Sequence, residues 1–286
     1  MRLWSEVPVA PPTPPVASLS SAPPAAVETP PADKAPSINP ARVKGFSTSS
    51  NYRKFIAFAK RDIAHGGGAY ALQAEMDCDY VKAVLEAVNH GSKEASPDSR
   101  NSVARAEART LLEARCGTLM QQEVGARTSF EPKRSGEDRL DPMLRLRDQF
   151  YDPRCKADRA YRDESAARVV ETQDPLMWTR YTSRLVDNDS IAGTASFNRV
   201  AYSGKDYLAI VAAIELVPCA LGFACARLDT NVAVAGLQHH VCEHDRFELE
   251  KLRAAARGYD FLRVLVLHDA LITALKMQRV AAFIKS

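Results

Sequence analysis

The sequence lacks the long apolar segments that place proteins in membranes or direct them to secretion. No run of about eighteen apolar residues occurs in its 286 residues, so we predict no transmembrane helix. Met1 to Trp4 lead almost directly to Pro8 without an intervening apolar stretch, so we also predict no secretory signal peptide.

The sequence also lacks the common catalytic motifs. It contains no Gly-x-x-x-x-Gly-Lys-Ser/Thr, Gly-x-Gly-x-x-Gly, His-Glu-x-x-His, Gly-x-Ser-x-Gly or Cys-x-x-Cys. Nucleotide-binding, zinc-protease, serine-hydrolase and thioredoxin-type functions therefore have no support in the sequence. We predict no catalytic residue and no cofactor.

Basic charge is not concentrated anywhere in the chain. The net charge is +3, and the most arginine-rich stretch, residues 131–168, holds ten Lys/Arg beside nine Asp/Glu. Nucleic-acid binding requires basic side chains clustered without such neutralisation. We therefore predict no nucleic-acid partner.

Proline is abundant only near the N-terminus, where eleven of the seventeen prolines lie within the first forty residues. Proline has no backbone N–H and a fixed φ, so such a stretch does not continue a helix or a sheet. We predict a disordered Pro/Ala-rich tether over residues 1–48 and a folded domain over residues 49–286. The segment acts either as a spacer or as a tail without a role. The spacer interpretation places a possible membrane anchor upstream of residue 1.

Apolar residues recur at helical spacing through most of the remaining chain, and strand-type alternation is nearly absent. Asp-Pro occurs at 141–142, 152–153 and 174–175, and an N-cap aspartate followed by proline favours the start of a helix. A polar stretch with proline and glycine at 127–140 predicts a loop and a possible sub-boundary. The predicted fold class is all-α, with irregular stacked helical hairpins forming a bundle or solenoid-like array.

The most apolar part of the chain, residues 207–284, contains half of the six cysteines. Its beginning predicts a helix over 205–217 that Pro218 ends. Its end predicts one long, central and buried helix over 260–284, about 37 Å in length at about 1.5 Å per residue.

Two cysteines lie on helices that are predicted to pack against each other. If the helices near 69–89 and 99–116 are antiparallel, Cys78 and Cys116 lie within about a turn of facing each other, close enough for a disulfide. The alternative is two buried thiols, since a free cysteine packs as a small hydrophobe.

Residues 219–244 have the spacing Cys-x5-Cys-x13-His-His-x-Cys-x-His. One interpretation is a disulfide from Cys242 back to Cys225 or Cys219, which would stabilise the fold by roughly 2–4 kcal/mol. A second is a tetrahedral zinc site, and a third is a set of packed thiols. The zinc interpretation uses the three cysteines and one histidine from this set: Cys219, Cys225, Cys242, His239, His240 and His244.

Three carboxylates lie close together at Glu75, Asp77 and Asp79. Positions 75 and 79 share a helix face, which would suit a cation or a general acid/base pair. We interpret the three as a solvated helix face.

Two cysteine-bearing stretches carry a resemblance to other proteins. Ala69–Cys78 precedes a helix that ends in Glu-Ala-Arg-Cys116, and the loop Cys219–Cys225 precedes Cys242. Together they resemble a group of uncharacterised, cysteine-containing helical proteins of the bacterial envelope. The resemblance implies an extracytoplasmic location and no particular activity.

This group commonly carries one further cysteine a few residues after the position of Cys242. In this chain that place holds His244 or Phe247. The resemblance therefore implies that one bridge partner is missing, with Cys155 either unpaired or a substitute.

These observations predict a non-enzymatic protein-interaction domain, tethered in the bacterial cell envelope or periplasm and binding another protein in a groove between helical hairpins. The first alternative is a helical envelope enzyme, such as a cell-wall hydrolase that uses a carboxylate such as Glu75. The second is a small zinc-binding module at Cys219–His244. Without a signal peptide, a cytoplasmic location is the alternative to the envelope.

Overall fold

The computed structural model describes most of the chain from residue 39 onward. The described residues are 39–91, 99–120, 140–186, 189–226, 229–239, 242 and 244–283. Within them the secondary structure is helical apart from a two-stranded ribbon, which confirms the predicted all-α fold class. The predicted tether up to residue 38 and the predicted sub-boundary up to residue 139 lie outside the described residues.

Twelve α-helices and a pair of short strands follow one another along the described residues. In chain order the helices are α1 (Pro40–Thr48), α2 (Tyr52–Ala59), α3 (Gly67–Gly91), α4 (Ser99–Met120), α5 (Pro142–Tyr151), α6 (Arg154–Ala157), α7 (Arg159–Thr172), α8 (Pro175–Leu185), α9 (Gly204–Ala220), α10 (Thr230–His239), α11 (Arg246–Arg257) and α12 (Phe261–Lys276). The antiparallel strands are β1 (Thr194–Phe197) and β2 (Val200–Ser203).

The Asp-Pro pairs begin helices in the way the sequence predicts at two of the three places. Asp141 accepts the N–H groups of the second and third residues of α5 at 2.8 and 2.9 Å. Asp174 caps α8 in the same manner. Asp152 accepts one backbone N–H, that of Arg154 at 2.8 Å, together with the Arg154 guanidinium, and is followed by the four-residue helix α6. A side-chain cap replaces backbone partners that the first turn lacks.

The folded part begins earlier than predicted, at α1 rather than at residue 49. Asn39 caps α1, and Pro40 occupies its first position, where a missing N–H has no cost. Phe46 is buried in a cluster of rings whose centroids lie 5.3–5.8 Å from its own: Tyr52, Phe55, Tyr70 and Phe223. The predicted tether boundary at residue 48 is therefore wrong, because these contacts bury the apolar face of α1.

Helix α9 is buried along most of its length and packs against α8, α11, α12 and the ribbon. It continues through Pro218 to Ala220, so the prediction that Pro218 ends it is wrong. A proline lacks the N–H that would bond to the carbonyl four residues earlier, in this case that of Ile214. Trp178 of α8 replaces this donor, since its Nε1–H donates to the Ile214 carbonyl oxygen at 3.3 Å.

Helix α12 ends at Lys276, and the prediction of one helix over 260–284 is wrong. Gln278 has a left-handed φ of 49°, and the Arg279 N–H donates to the Ala274 carbonyl at 2.8 Å. This turn sends Phe283 back into the core. Its ring centroid lies 5.5 Å from those of Trp178 and Phe197, which are contributed by α8 and β1. The burial of Phe283 explains why the chain reverses where no glycine or proline requires it.

The two-stranded ribbon packs beside the segment that follows α12. Its turn residues, Asn198 and Arg199, have φ values of 51° and 63°, as expected for a two-residue hairpin turn. The Asn198 N–H donates to the Ala282 carbonyl at 2.7 Å, which ties the turn to the segment after α12.

Candidate functional site

The predicted bridge between Cys78 and Cys116 is present, since their sulfurs lie at bonding distance. Their Cα atoms are 5.3 Å apart, within the range that a disulfide requires. Both side chains are buried, and the bridge joins α3 to α4. It therefore fixes the two longest helices of the described residues to each other.

The second bridge differs from the prediction, because Cys219 bonds to Cys225. Their Cα atoms are 5.6 Å apart. Helix α9 runs past Pro218, so it carries Cys219 in its last turn, and the Phe223 N–H folds back onto the Pro218 carbonyl at 2.9 Å. The prediction that Cys242 bonds to either cysteine is wrong. Cys242 is buried and packs beside Gly236 of α10, where an added Cβ would lie 3.2 Å from its sulfur.

The zinc interpretation loses two of its ligands through the same bridge. Cys219 and Cys225 are bonded to each other and are not thiolates. In the described part of the chain no group of three His, Cys, Asp or Glu side chains could hold a metal ion. His244 Nδ1 instead lies 3.6 Å from Glu248 Oε2, whereas the side chains of His239 and His240 lie outside the described part.

Cys155 does not supply the bridge partner that the resemblance implies is missing. Its thiol is free and buried, and its Sγ donates to the Gln149 carbonyl at 3.0 Å. It packs between α5 and α7 as a small polarisable side chain.

The three neighbouring carboxylates do not share one environment. Glu75 lies 3.3 Å from Lys60 Nζ, and Asp79 is exposed, as a solvated helix face predicts. Asp77 contradicts that interpretation. Its Oδ1 accepts from Gln73 Nε2, and burial raises the pKa of its carboxyl to about 6. Asp77 points between helices because it is two residues from each neighbour, which places it on nearly the opposite side of α3 from Glu75 and Asp79.

Two buried arginines that the sequence does not single out join separate helices. Arg42 of α1 is 1% exposed, donates to Asp62 at 2.8 Å and lies over the Tyr70 ring at 5.0 Å. Arg115 of α4 donates to Thr230 Oγ1 at the start of α10. Both guanidinium groups are enclosed by the helices they join. We therefore assign them structural roles rather than contact with a ligand.

Tyr70 extends the first of these contacts to α8. Its hydroxyl donates to both carboxylate oxygens of Asp174 at 3.1 Å. Burial raises the pKa of Asp174 to about 6. Asp174 thus caps α8 and also accepts a hydrogen bond from the Tyr70 hydroxyl, which fixes the start of α8 against α3.

The outer face of α12 carries exposed apolar side chains. Leu262 is 70% exposed and Val266 is 60% exposed, and the two lie one turn apart. Ala270 and Thr273 continue the same line at helical spacing and are also exposed. We call Leu262, Val266, Ala270 and Thr273 the α12 stripe. The prediction that this helix is buried is wrong on this side.

The C-terminal end of the α12 stripe opens into a cleft of about 300 Å³ between α12, the ribbon turn and the segment after α12. We call it the α12 cleft. Its lining residues are Phe197, Asn198, Asp269, Ala270, Thr273, Ala274, Arg279 and Ala282. Its walls combine an aromatic ring and three alanines with four polar side chains.

Three hydrogen-bond donors in the α12 cleft are not used within the described part of the protein. The side chains of Asn198, Thr273 and Arg279 donate to no other described residue. Asp269 is 84% exposed, and its Oδ1 lies 3.3 Å from His268 Nδ1. The lining of the cleft therefore combines three free donors with one carboxylate.

The sequence matches no protein-family model, and no curated protein or solved structure is significantly similar to it. Among the described residues, no helix combines the length and the apolar character needed to cross a membrane.

Proposed function

We propose that this chain is a non-enzymatic interaction domain, tethered in the bacterial cell envelope, that binds another protein through the α12 stripe and the α12 cleft. The surface lies on the exposed side of α12, which packs mainly against α9, rather than in a groove between hairpins. The observation that carries the proposal is the exposure of Leu262 and Val266 on the α12 face that leads to the cleft.

Single exposed apolar residues are common on soluble proteins and need no explanation. The α12 stripe differs because its members follow one helix face and continue into a concave surface. A helix face with apolar side chains beside a cleft is a recurring arrangement in peptide and helix recognition.

The disulfides support the envelope part of the proposal. Two bridges are compatible with an oxidising compartment, since the cytosol keeps most cysteines reduced. The proline-rich segment at 1–38 has the composition of a semi-rigid spacer, which would hold the folded part away from an attachment point.

A photo-crosslinking experiment tests the binding surface. A benzophenone amino acid is placed at Val266 and, as a matched control, at Ala106, an exposed position on α4. We expect a discrete protein adduct from Val266 in envelope extracts of the source bacterium and none from Ala106. Leu262→Asp should remove the adduct because it introduces a charge into the apolar contact. Equal labelling from both positions, or none from Val266, would refute the proposal.

A further inference from the structure

We infer that the α12 cleft binds the C-terminal carboxylate of a partner protein, whose preceding apolar residues lie along the α12 stripe. This inference rests on the proposed function and adds the chemistry of the bound segment. It is carried by the three unused donors in the cleft and by the apolar surface that adjoins them.

The donors determine the charge of the ligand group. Arg279 supplies a planar guanidinium, which matches the two oxygens of a carboxylate, and no described residue forms an ion pair with it. Asn198 and Thr273 add an amide and a hydroxyl donor on the walls of the same cleft. A group with several acceptor oxygens and a negative charge is complementary to this set.

The apolar surface determines the size of the ligand. Leu262 and Ala270 are eight residues apart on one helix, so the stripe extends about 12 Å from the cleft. That length corresponds to about four residues of an extended peptide. A small carboxylate would leave Leu262 and Val266 uncovered, whereas a peptide end covers the stripe and the cleft together.

Asp269 determines the direction in which the peptide binds. Its carboxylate lies at the cleft rim on the α12 side and would repel the terminal carboxylate of the ligand. The terminal group is therefore placed at Arg279. The upstream residues then pass Asp269, where a lysine or arginine side chain of the partner would be favoured.

The test uses one defined peptide, acetyl-Lys-Ala-Leu-Ala-Val, with a free C-terminal carboxylate, and the same peptide ended as an amide. Binding to the full chain is measured by NMR titration at two salt concentrations. We expect the amide to bind at least about tenfold more weakly, since it loses charge-assisted hydrogen bonds. The affinity of the free acid should fall as salt is added.

Variants assign the effect to the cleft. Arg279→Gln should reduce binding of the free acid and leave binding of the amide unchanged, and Thr273→Val should weaken the free acid more than the amide. Arg53→Gln on α2 is the matched control, because it removes an exposed arginine from a helix that does not pack against α12. Circular dichroism confirms that each variant is folded.

Each outcome separates this inference from the proposed function. Equal binding of acid and amide would overturn the carboxylate assignment and leave docking on the α12 stripe intact. Absence of any NMR shift in the cleft residues with either peptide would also overturn the carboxylate assignment. The photo-crosslinked adduct at Val266 tests the proposed function independently. A loss of binding in Arg53→Gln equal to that in Arg279→Gln would show non-specific charge attraction and refute the assignment.

Discussion

The two disulfides should differ in their contribution to stability, because they close loops of different length. Cys78 and Cys116 are 38 residues apart, whereas Cys219 and Cys225 are 6 apart. In the chain-entropy treatment, the free energy of unfolding lost on removing a bridge is about 4 kcal/mol for the longer loop and about 2 kcal/mol for the shorter. Domains are commonly stable by about 5–15 kcal/mol, so the first loss is large.

The assay compares urea unfolding of two double variants, Cys78→Ala/Cys116→Ala and Cys219→Ala/Cys225→Ala, with the oxidised wild type. Alanine avoids the burial of unsatisfied hydroxyl groups that serine would introduce. Cys155→Ala is the matched control, because it removes a buried sulfur without breaking a bridge. The longer-loop variant should lose the most stability and Cys155→Ala the least. A loss for the longer loop that does not exceed that of the shorter loop, or of Cys155→Ala, would refute the loop-length reasoning.

Three further predictions follow from the described contacts. Without reductant, denatured protein should titrate at most two thiols per chain, and six would contradict both bridges. Phe46→Ala should lower the free energy of unfolding in urea by about 3–5 kcal/mol, because Phe46 lies in a buried ring cluster. A loss below about 1 kcal/mol would show that α1 is not part of the core. Burial and the neighbouring Glu215 raise the pKa of Glu250 from 4.5 to about 7. The contact with Arg253 at 2.6 Å lowers this pKa but does not offset the increase. The folded state therefore binds the proton more tightly, so stability should fall by on the order of 2 kcal/mol as pH rises from about 4.5 to about 7. Glu250→Gln should flatten this dependence in thermal unfolding, and an unchanged slope would contradict the assignment. Glu113→Gln, at an exposed position of α4, is the control.

The sequence predicts the fold class and one bridge because both depend on local patterns. Helical spacing of apolar residues and aspartate caps are encoded within a few neighbouring residues. Cys78 and Cys116 lie on buried faces of consecutive long helices, so an antiparallel pairing places them together. The distance between them follows from helix geometry once that pairing is assumed.

Features that depend on distant contacts could not be predicted in this way. The composition around Pro40 indicates a tether, yet α1 forms because Phe46 contacts rings from several distant elements. Asp77 and Glu75 look equivalent in sequence, and only the packing of neighbouring helices buries one and leaves the other beside Lys60. The different environments of the two carboxylates can therefore be predicted only from the tertiary structure.

The α12 cleft shows how such a long-range contact can create a site. An uninterrupted helix over 260–284 would carry Arg279 along its own surface, with no cleft beside it. The chain instead reverses at Gln278, a residue that rarely adopts a left-handed φ, so that Phe283 can pack against Trp178. That reversal places Arg279 and the following turn opposite the exposed face of α12. The burial of one aromatic ring thus sets the position of the donor on which the carboxylate assignment depends.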